Sequence, residues 1–198
     1  MNVIFLRGVN VGGGRPLKPK VLADKLGLLN LGAAGTFVST SSKSAAALTK
    51  ALLAELPYST EVMVCPAEEL IELARSAPFG KGALPPGVKR MVSVMVSAPA
   101  AKVKLPVDRP PTGKWGVRVV EVVGRYALSL RRPLDKGGVY PNEVVERAFG
   151  VKATSRSSLS VAKSDATKAS YAAATSATGT KARAAIIFKF KAKSGCSR

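Results

Sequence analysis

The stretch Val3-Ile4-Phe5-Leu6-Arg7-Gly8-Val9-Asn10-Val11-Gly12-Gly13-Gly14-Arg15 decides the fold of this chain, because a short apolar run ends there in a cluster of glycines. The β-branched and aromatic content of residues 1–6 predicts a buried strand. Three adjacent glycines let the backbone turn tightly or approach a ligand closely. Pro19 and the apolar spacing of residues 20–29 predict a helix directly after this loop.

A strand, a glycine-rich loop and a helix in this order can direct several backbone N–H groups at one anion. Arg7, Arg15 and Lys18 would add positive charge to such a site. The glycine spacing is neither the dinucleotide-binding fingerprint nor a phosphate loop. A tight structural connection with solvated cations beside it is therefore the alternative, and this residue pattern favours it.

The charge of the chain favours anionic partners. Its 198 residues include 31 Lys and Arg against 12 Asp and Glu, a formal net charge of +19. Residues 163–198 carry eight cations and one acidic residue, which leaves +12 on the rest of the chain. Such an excess indicates contact with nucleic acid, acidic lipid heads or phosphorylated metabolites, or it serves solubility alone.

The chain contains no histidine. This removes the commonest general base, the commonest zinc ligand and any Ser-His or Cys-His nucleophile pair. Hydrolase and metalloenzyme functions are disfavoured, and we expect no metal and no cofactor. Two cysteines far apart, Cys65 and Cys196, indicate reduced thiols, and no apolar run approaches eighteen residues, so we expect a cytoplasmic protein with no membrane partner.

Further along the chain, apolar periodicity and capping residues predict alternating strands and helices. The predicted strands are residues 33–40, 60–65 and 90–97. One predicted helix covers residues 45–56 and is capped by Ser42 or Ser44, and another covers residues 142–149 after Pro141. Between them, Pro66 begins a third helix, with Glu68 and Glu69 in its first turn. Residues 98–114, which are rich in proline and cations, are predicted to form a long connection.

Residues 116–124 and 126–131 predict the clearest hairpin, with its turn at Gly124-Arg125. Strand alternation puts Arg125, Ser129 and Arg131 on one face, near Trp115. A basic face beside a tryptophan is typical of nucleic-acid backbone contacts and base stacking. The alternative, which the pattern favours, is a solvated face with Trp115 in the core.

Several segments resemble, in order, the bacterial domain-of-unknown-function family 1697, an uncharacterised protein family. Leu6-Arg7-Gly8-Val9-Asn10-Val11-Gly12-Gly13 is similar to its opening signature, and Gly32-Ala33-Ala34-Gly35-Thr36-Phe37-Val38, Glu61-Val62-Met63-Val64-Cys65 and Ala77-Pro78-Phe79 agree with it. The resemblance covers residues 1–162. It implies an α+β fold, with a ferredoxin-like βαββαβ first part followed by a second β-rich α+β part. The family brings no accepted substrate, cofactor or reaction.

Together, these observations predict three regions. Residues 1–80 form a ferredoxin-like α+β subdomain, residues 81–162 a second α+β subdomain with the β-hairpin, and residues 163–198 a low-complexity basic tail that is partly disordered.

Phe149-Gly150-Val151-Lys152-Ala153-Thr154-Ser155-Arg156 falls where the family has a Thr-Thr-Arg-Asn-Trp-Asn-Thr motif. Thr154 and Arg156 match it, whereas Ser157-Ser158-Leu159-Ser160 replaces the asparagines and tryptophan. The predicted function is binding of an anionic, phosphate-bearing ligand or nucleic acid at the glycine-rich loop and the basic face. One alternative is a non-catalytic interaction module. Another is an enzyme that acts on a small anionic substrate, although the sequence shows no obvious catalytic base. The predicted ligand-binding residues are Arg7, Asn10, Gly12, Gly13, Arg15, Thr154 and Arg156.

Overall fold

The strand predicted at the start of the chain is present as β1, Asn2–Leu6, in the centre of an antiparallel sheet. The computed structural model describes residues 1–10, 16–76, 78–80, 82–134 and 138–157. The described residues belong to one compact unit, Met1–Ser158, and residues 159–198 lie outside the described residues. The predicted region boundaries after residues 80 and 162, and the partly disordered tail, stay predictions.

The first sheet contains four strands in the order β2-β3-β1-β4, and every neighbouring pair is antiparallel. This order, with one helix between β1 and β2 and another between β3 and β4, is compatible with the predicted ferredoxin-like first part. The elements after β1 are α1 Pro19–Leu26, β2 Leu29–Asn30, β3 Thr36–Ser39, α2 Ala45–Glu55, β4 Val62–Pro66 and α3 Ala67–Arg75.

Local chemistry sets the helix ends in this part. Helix α1 ends before Gly27, whose φ of 65° is left-handed and favours glycine, so the helix stops earlier than the predicted residue 29. Of the two predicted caps, Ser44 is the one that caps α2, because its Oγ accepts a hydrogen bond from the N–H of Ala47.

The second sheet has five strands in the order β6-β7-β8-β5-β9. The predicted hairpin is confirmed, with Gly124 at φ 55° in its turn. The connection predicted over residues 98–114 holds the strand β6, and β9 was not predicted. The elements are β5 Lys89–Met95, β6 Val107–Arg109, β7 Val117–Val123, β8 Tyr126–Arg131, α4 Pro141–Phe149 and β9 Ala153–Ser157.

The two sheets lie between layers of helices. Ile4 and Leu6 on one face of β1 share a core with Leu52 of α2, whereas Val3 and Phe5 are buried on the other face. Helix α4 packs on the outer face of the second sheet, and its core is formed by side chains that include Met95, Val117, Val119, Val145 and Phe149. The inner faces meet where Arg156 lies over the Phe5 ring. The predicted α+β class is therefore confirmed.

The described residues also show the state of one cysteine and allow a search for metal sites and membrane-spanning helices. Cys65 is buried and free, and Cys196 lies outside the described residues. Burial raises the pKa of the Cys65 thiol. Within the described ranges, His, Cys, Asp and Glu side chains do not form a group of three able to hold a metal ion. In the same ranges, none of the helices has the length and apolar character needed to cross a membrane.

Candidate functional site

Arg7, at the end of β1, is bound by two carboxylates. Its Nε and Nη2 donate to Oε1 and Oε2 of Glu146 at 2.8 and 2.9 Å, and its Nη1 donates to Oε2 of Glu61 at 3.4 Å. The hydrogen bond with Glu146 raises the pKa of Arg7 above its ordinary value despite partial burial. The charge of Arg7 is thus compensated, and the side chain connects β1 to α4.

Glu146 receives more than the guanidinium of Arg7. Its Oε1 also accepts a hydrogen bond from the backbone N–H of Ala153 at 3.0 Å, and Lys152 Nζ lies 3.8 Å from Oε2. Burial raises the pKa of Glu146. The hydrogen bonds from Arg7 and Ala153 and the nearby cations together lower it by more, so the net pKa lies below the ordinary value. The carboxylate is ionised at neutral pH and joins three elements.

Asn10 links the described residues on the two sides of residues 11–15. Its φ of 53° is left-handed, a conformation that asparagine tolerates better than most residues. Its Nδ2 donates to the carbonyls of Leu17 at 3.1 Å and Ala33 at 2.8 Å, and its Oδ1 accepts from the Leu17 N–H at 2.8 Å. Asn10 therefore holds Leu17 and Ala33 next to the end of β1. Gly12, Gly13 and Arg15 lie outside the described residues.

Arg156 on β9 has the opposite surroundings to Arg7. Its hydrogen bonds to described residues end on neutral oxygens, namely Thr36 Oγ1 at 3.0 Å, Thr154 Oγ1 at 2.8 Å, and the carbonyls of Ser155 at 2.9 Å, Leu6 at 3.2 Å and Ala34 at 2.6 Å. Among the described residues, no carboxylate lies within 4.0 Å of it. Burial lowers the pKa of Arg156 to about 10, so it stays charged at neutral pH.

Thr154 lies beside Arg156 in a buried position. Its Oγ1 accepts from Arg156 Nη1 and donates to the carbonyl of Leu6 at 3.4 Å. The structure thus brings Thr154 and Arg156 together next to the end of β1, one residue before Arg7. The guanidinium of Arg7 engages α4 instead, and the ligand-binding role of these residues stays a prediction. We refer to Thr36, Thr154 and Arg156 as the Arg156 cluster.

A second cationic group surrounds Trp115, which is half-buried and precedes β7. The guanidinium carbon of Arg132 lies 4.1 Å from the centroid of the Trp115 ring, and that of Arg118 lies 5.1 Å from it. The Nε of Arg132 also donates to the Trp115 carbonyl at 2.5 Å. We refer to Asp108, Trp115, Arg118 and Arg132 as the Trp115 cluster.

The Trp115 cluster carries a net positive charge. Asp108 on β6 accepts two hydrogen bonds from its cross-strand partner Arg118, at 2.8 and 2.7 Å. These bonds hold the pKa of Asp108 below its ordinary value and raise that of Arg118. Among the described residues, no carboxylate lies within ion-pair distance of Arg132. Among the described residues, the Trp115 cluster therefore contains two guanidinium groups and one carboxylate.

The face of the hairpin that carries these cations differs from the predicted basic face. Val117 pairs with Arg131 and packs under α4, so the predicted face is the one that α4 covers, and Ser129 on it is fully buried. Arg118 follows Val117 and lies on the opposite face. The favoured interpretation that Trp115 lies in the core is wrong, because the side chain is half-buried at the margin of the sheet.

Arg125, which was also assigned to the basic face, is held by the backbone. Its guanidinium donates to the carbonyls of Met95 at 2.8 Å, Val64 at 3.1 Å and Val96 at 2.9 Å. It therefore connects β4 of the first sheet to β5 of the second. Residue pattern alone gives no signal for this role, whereas the Asp108–Arg118 pair follows from strand register once β6 is recognised.

The protein is an α+β protein with two stacked antiparallel sheets, and its described residues include these two cationic clusters. A family model described as "Protein of unknown function (DUF1697)" matches residues 1–123, which is more than half of the chain, and the chain belongs to this family. The resemblance stated from the sequence is confirmed. Thr154 and Arg156 lie beyond the matched residues. Searches of curated proteins and of solved structures each give no match.

Proposed function

We propose that this protein binds nucleic acid through the Trp115 cluster. The observation that carries the proposal is Arg132, whose guanidinium lies over the ring of Trp115 and has no carboxylate partner among the described residues. Of its three guanidinium nitrogens, only Nε makes a described hydrogen bond, with the Trp115 carbonyl. Its terminal N–H groups are suited to charge-assisted hydrogen bonds with phosphate oxygens.

The overall charge supports the same partner. Because residues 1–162 alone carry +12, the attraction to a polyanion does not depend on the basic tail. Binding to phosphates releases condensed counterions, so the affinity should fall steeply as salt increases. A protein whose charge only keeps it soluble would show no saturable binding.

A second candidate is a small phosphate-bearing ligand at the predicted loop site, formed by Arg7, Asn10, Gly12, Gly13, Arg15, Thr154 and Arg156. The observation in its favour is the partly buried charge of Arg156, which has only neutral partners among the described residues. Against it, each guanidinium N–H of Arg156 already has an acceptor, and Arg7 is neutralised by Glu146 and Glu61. The first candidate is therefore preferred.

Fluorescence anisotropy of a labelled oligonucleotide across a salt series tests the preferred function. Arg132→Gln should weaken binding and reduce the slope of log affinity against log salt by about one, because one phosphate contact is lost. Arg147→Gln is the matched control, because it removes the same charge from an exposed site on α4, on the other side of the second sheet. An affinity that does not change with salt, or an equal loss in both variants, would contradict the proposal.

A further inference from the structure

We infer that the nucleic acid held at the Trp115 cluster is single-stranded, with one base stacked on the Trp115–Arg132 pair. This inference rests on the proposed function and specifies its ligand. It starts from a combination that phosphate binding alone does not require, since an indole ring lies next to a guanidinium that has no described acidic partner.

The geometry of the cluster supplies two kinds of contact for one nucleotide. A guanidinium 4.1 Å from the ring centroid is at stacking distance, and both indole and guanidinium planes accept a nucleobase on their faces. The Nη1 and Nη2 groups of Arg132 carry no hydrogen bond to a described residue and can donate to the phosphate of the same or the next nucleotide. Base and phosphate are thus served by adjacent groups.

Asp108 fixes the second guanidinium of the cluster. Because both Nε and Nη2 of Arg118 are bound to the carboxylate, Arg118 is held near the ring with its charge compensated. It supports the position of Trp115 without adding a strong phosphate site. Among the described residues, the cluster therefore offers the Trp115–Arg132 pair for stacking and one cation, Arg132, without a carboxylate partner, which suits one unpaired nucleotide better than a run of phosphates.

A duplex does not present the free base face that stacking on this cluster requires. Bases in a double helix are already stacked on each other, so only an unpaired base exposes a face to Trp115. Backbone contacts without stacking would treat single strands, duplexes and inorganic polyphosphate as similar polyanions. These ligands therefore separate stacking from simple charge attraction.

Trp115 is the single tryptophan of the chain, so intrinsic tryptophan emission reports on this ring alone. The full chain is titrated with oligothymidylate, with a duplex of mixed sequence and with inorganic polyphosphate, at one salt concentration. We expect saturable quenching by oligothymidylate and little quenching by the duplex or polyphosphate. Equal quenching by polyphosphate, or unchanged emission while anisotropy shows that oligothymidylate binds, would overturn the stacking inference and leave the proposed function standing. Absence of binding to every nucleic acid by anisotropy would remove both.

Variants separate stacking from folding. Trp115→Leu should weaken oligothymidylate binding about tenfold or more, because base stacking on an aromatic ring is lost, and Trp115→Phe should lose less. The matched control is Tyr140→Leu, since Tyr140 is exposed and has Arg131 at 5.1 Å from its ring, and Arg131 lies on the face that α4 covers. An equal loss in Tyr140→Leu, or unchanged binding in a folded Trp115→Leu protein whose melting temperature matches the parent, would contradict the inference.

Discussion

Two arginines of the predicted site, Arg7 and Arg156, have the same side chain and different surroundings. Arg7 is paired with Glu146 and Glu61, while Arg156 has only neutral acceptors among the described residues. Both guanidinium groups join parts of the chain that are far apart in sequence. At the scale of single residues, much of the charge that suggested a ligand site also contributes to the fold.

Glu146→Gln should lower the free energy of unfolding at neutral pH by about 1–3 kcal/mol, because it removes the charge from a partly buried hydrogen-bonded pair. The pKa of Glu146 is lowered in the folded protein, so its stabilisation is full above its unfolded pKa of about 4.3 and is lost as pH falls through the folded value. The variant should therefore lose less stability than the parent on acidification. Urea unfolding at several pH values measures both effects.

The control for this variant is Glu143→Gln, which changes an exposed acid on the same helix. It should change stability by less than about 0.5 kcal/mol. An identical pH dependence for the parent and Glu146→Gln would show that the link between β1 and α4 contributes nothing measurable.

Arg156→Gln should destabilise the protein by about 1–3 kcal/mol, because the carbonyls of Leu6 and Ala34 lose donors in a partly buried site. Arg156→Lys keeps the charge but not the planar set of five donors, so it should recover only part of the loss. Thermal or urea unfolding measures the difference. Full recovery by lysine would mean that charge, rather than hydrogen-bond geometry, is what this position requires.

At the scale of elements, helices with clear end signals and the hairpin could be predicted from the sequence, whereas the short strands β2, β6 and β9 could not. Pro141 and Gly150 border α4, and Gly124 lies in the hairpin turn. Strand β6 is only three residues long, in a proline-rich segment, and β9 has no apolar alternation because its residues are mostly small and polar. Such strands form because a neighbouring strand supplies the hydrogen bonds, which local sequence does not encode.

The candidate site follows the same rule. The sequence indicates Trp115 and the cations near it, but the predicted face of the hairpin is wrong, because α4 covers that face and Arg118 lies on the opposite one. The pairing of Asp108 with Arg118 depends on the unpredicted strand β6. The loop residues Asn10 and Arg7 were identified as polar groups near glycines, whereas their partners Ala33 and Glu146 are distant in sequence.

Ser44→Ala should lower the free energy of unfolding by about 1 kcal/mol, because α2 loses the side chain that caps the N–H of Ala47. Ser42 is the matched control, since the sequence allowed either serine as the cap and Ser42 is exposed two residues earlier. Ser42→Ala should be near neutral. Chemical denaturation compares the pair, and a larger loss in Ser42→Ala would contradict the assigned cap.

At the scale of the whole molecule, side chains join the two sheets at several points. Arg125 donates to carbonyls in β4 and beside β5, and Tyr126 donates to Glu69 of α3 at 2.7 Å. Arg7 and Arg156 add links from β1 to α4 and β9. These contacts link the first sheet and its helix α3 to the second sheet and α4.

We expect urea unfolding followed by Trp115 emission and by far-ultraviolet circular dichroism to give coincident transitions. Trp115 reports on the second sheet alone, whereas circular dichroism reports on both, so coincidence indicates one cooperative unit. Two separated transitions would instead support independent subdomains at residues 1–80 and 81–162. If the hydrogen bonds of Arg125 couple the two sheets, Arg125→Gln should separate the midpoints of the two transitions more than Arg147→Gln does.

The hydrogen bond from Arg156 to the carbonyl of Leu6 spans 150 residues. During translation, β1 leaves the ribosome long before the strand that completes its surroundings has been made. A nascent chain that ends before β9 therefore lacks the guanidinium that lies over the Phe5 ring and the donor to the Leu6 carbonyl. Until Arg156 has been synthesised, the growing polypeptide cannot complete the native surroundings of its first strand.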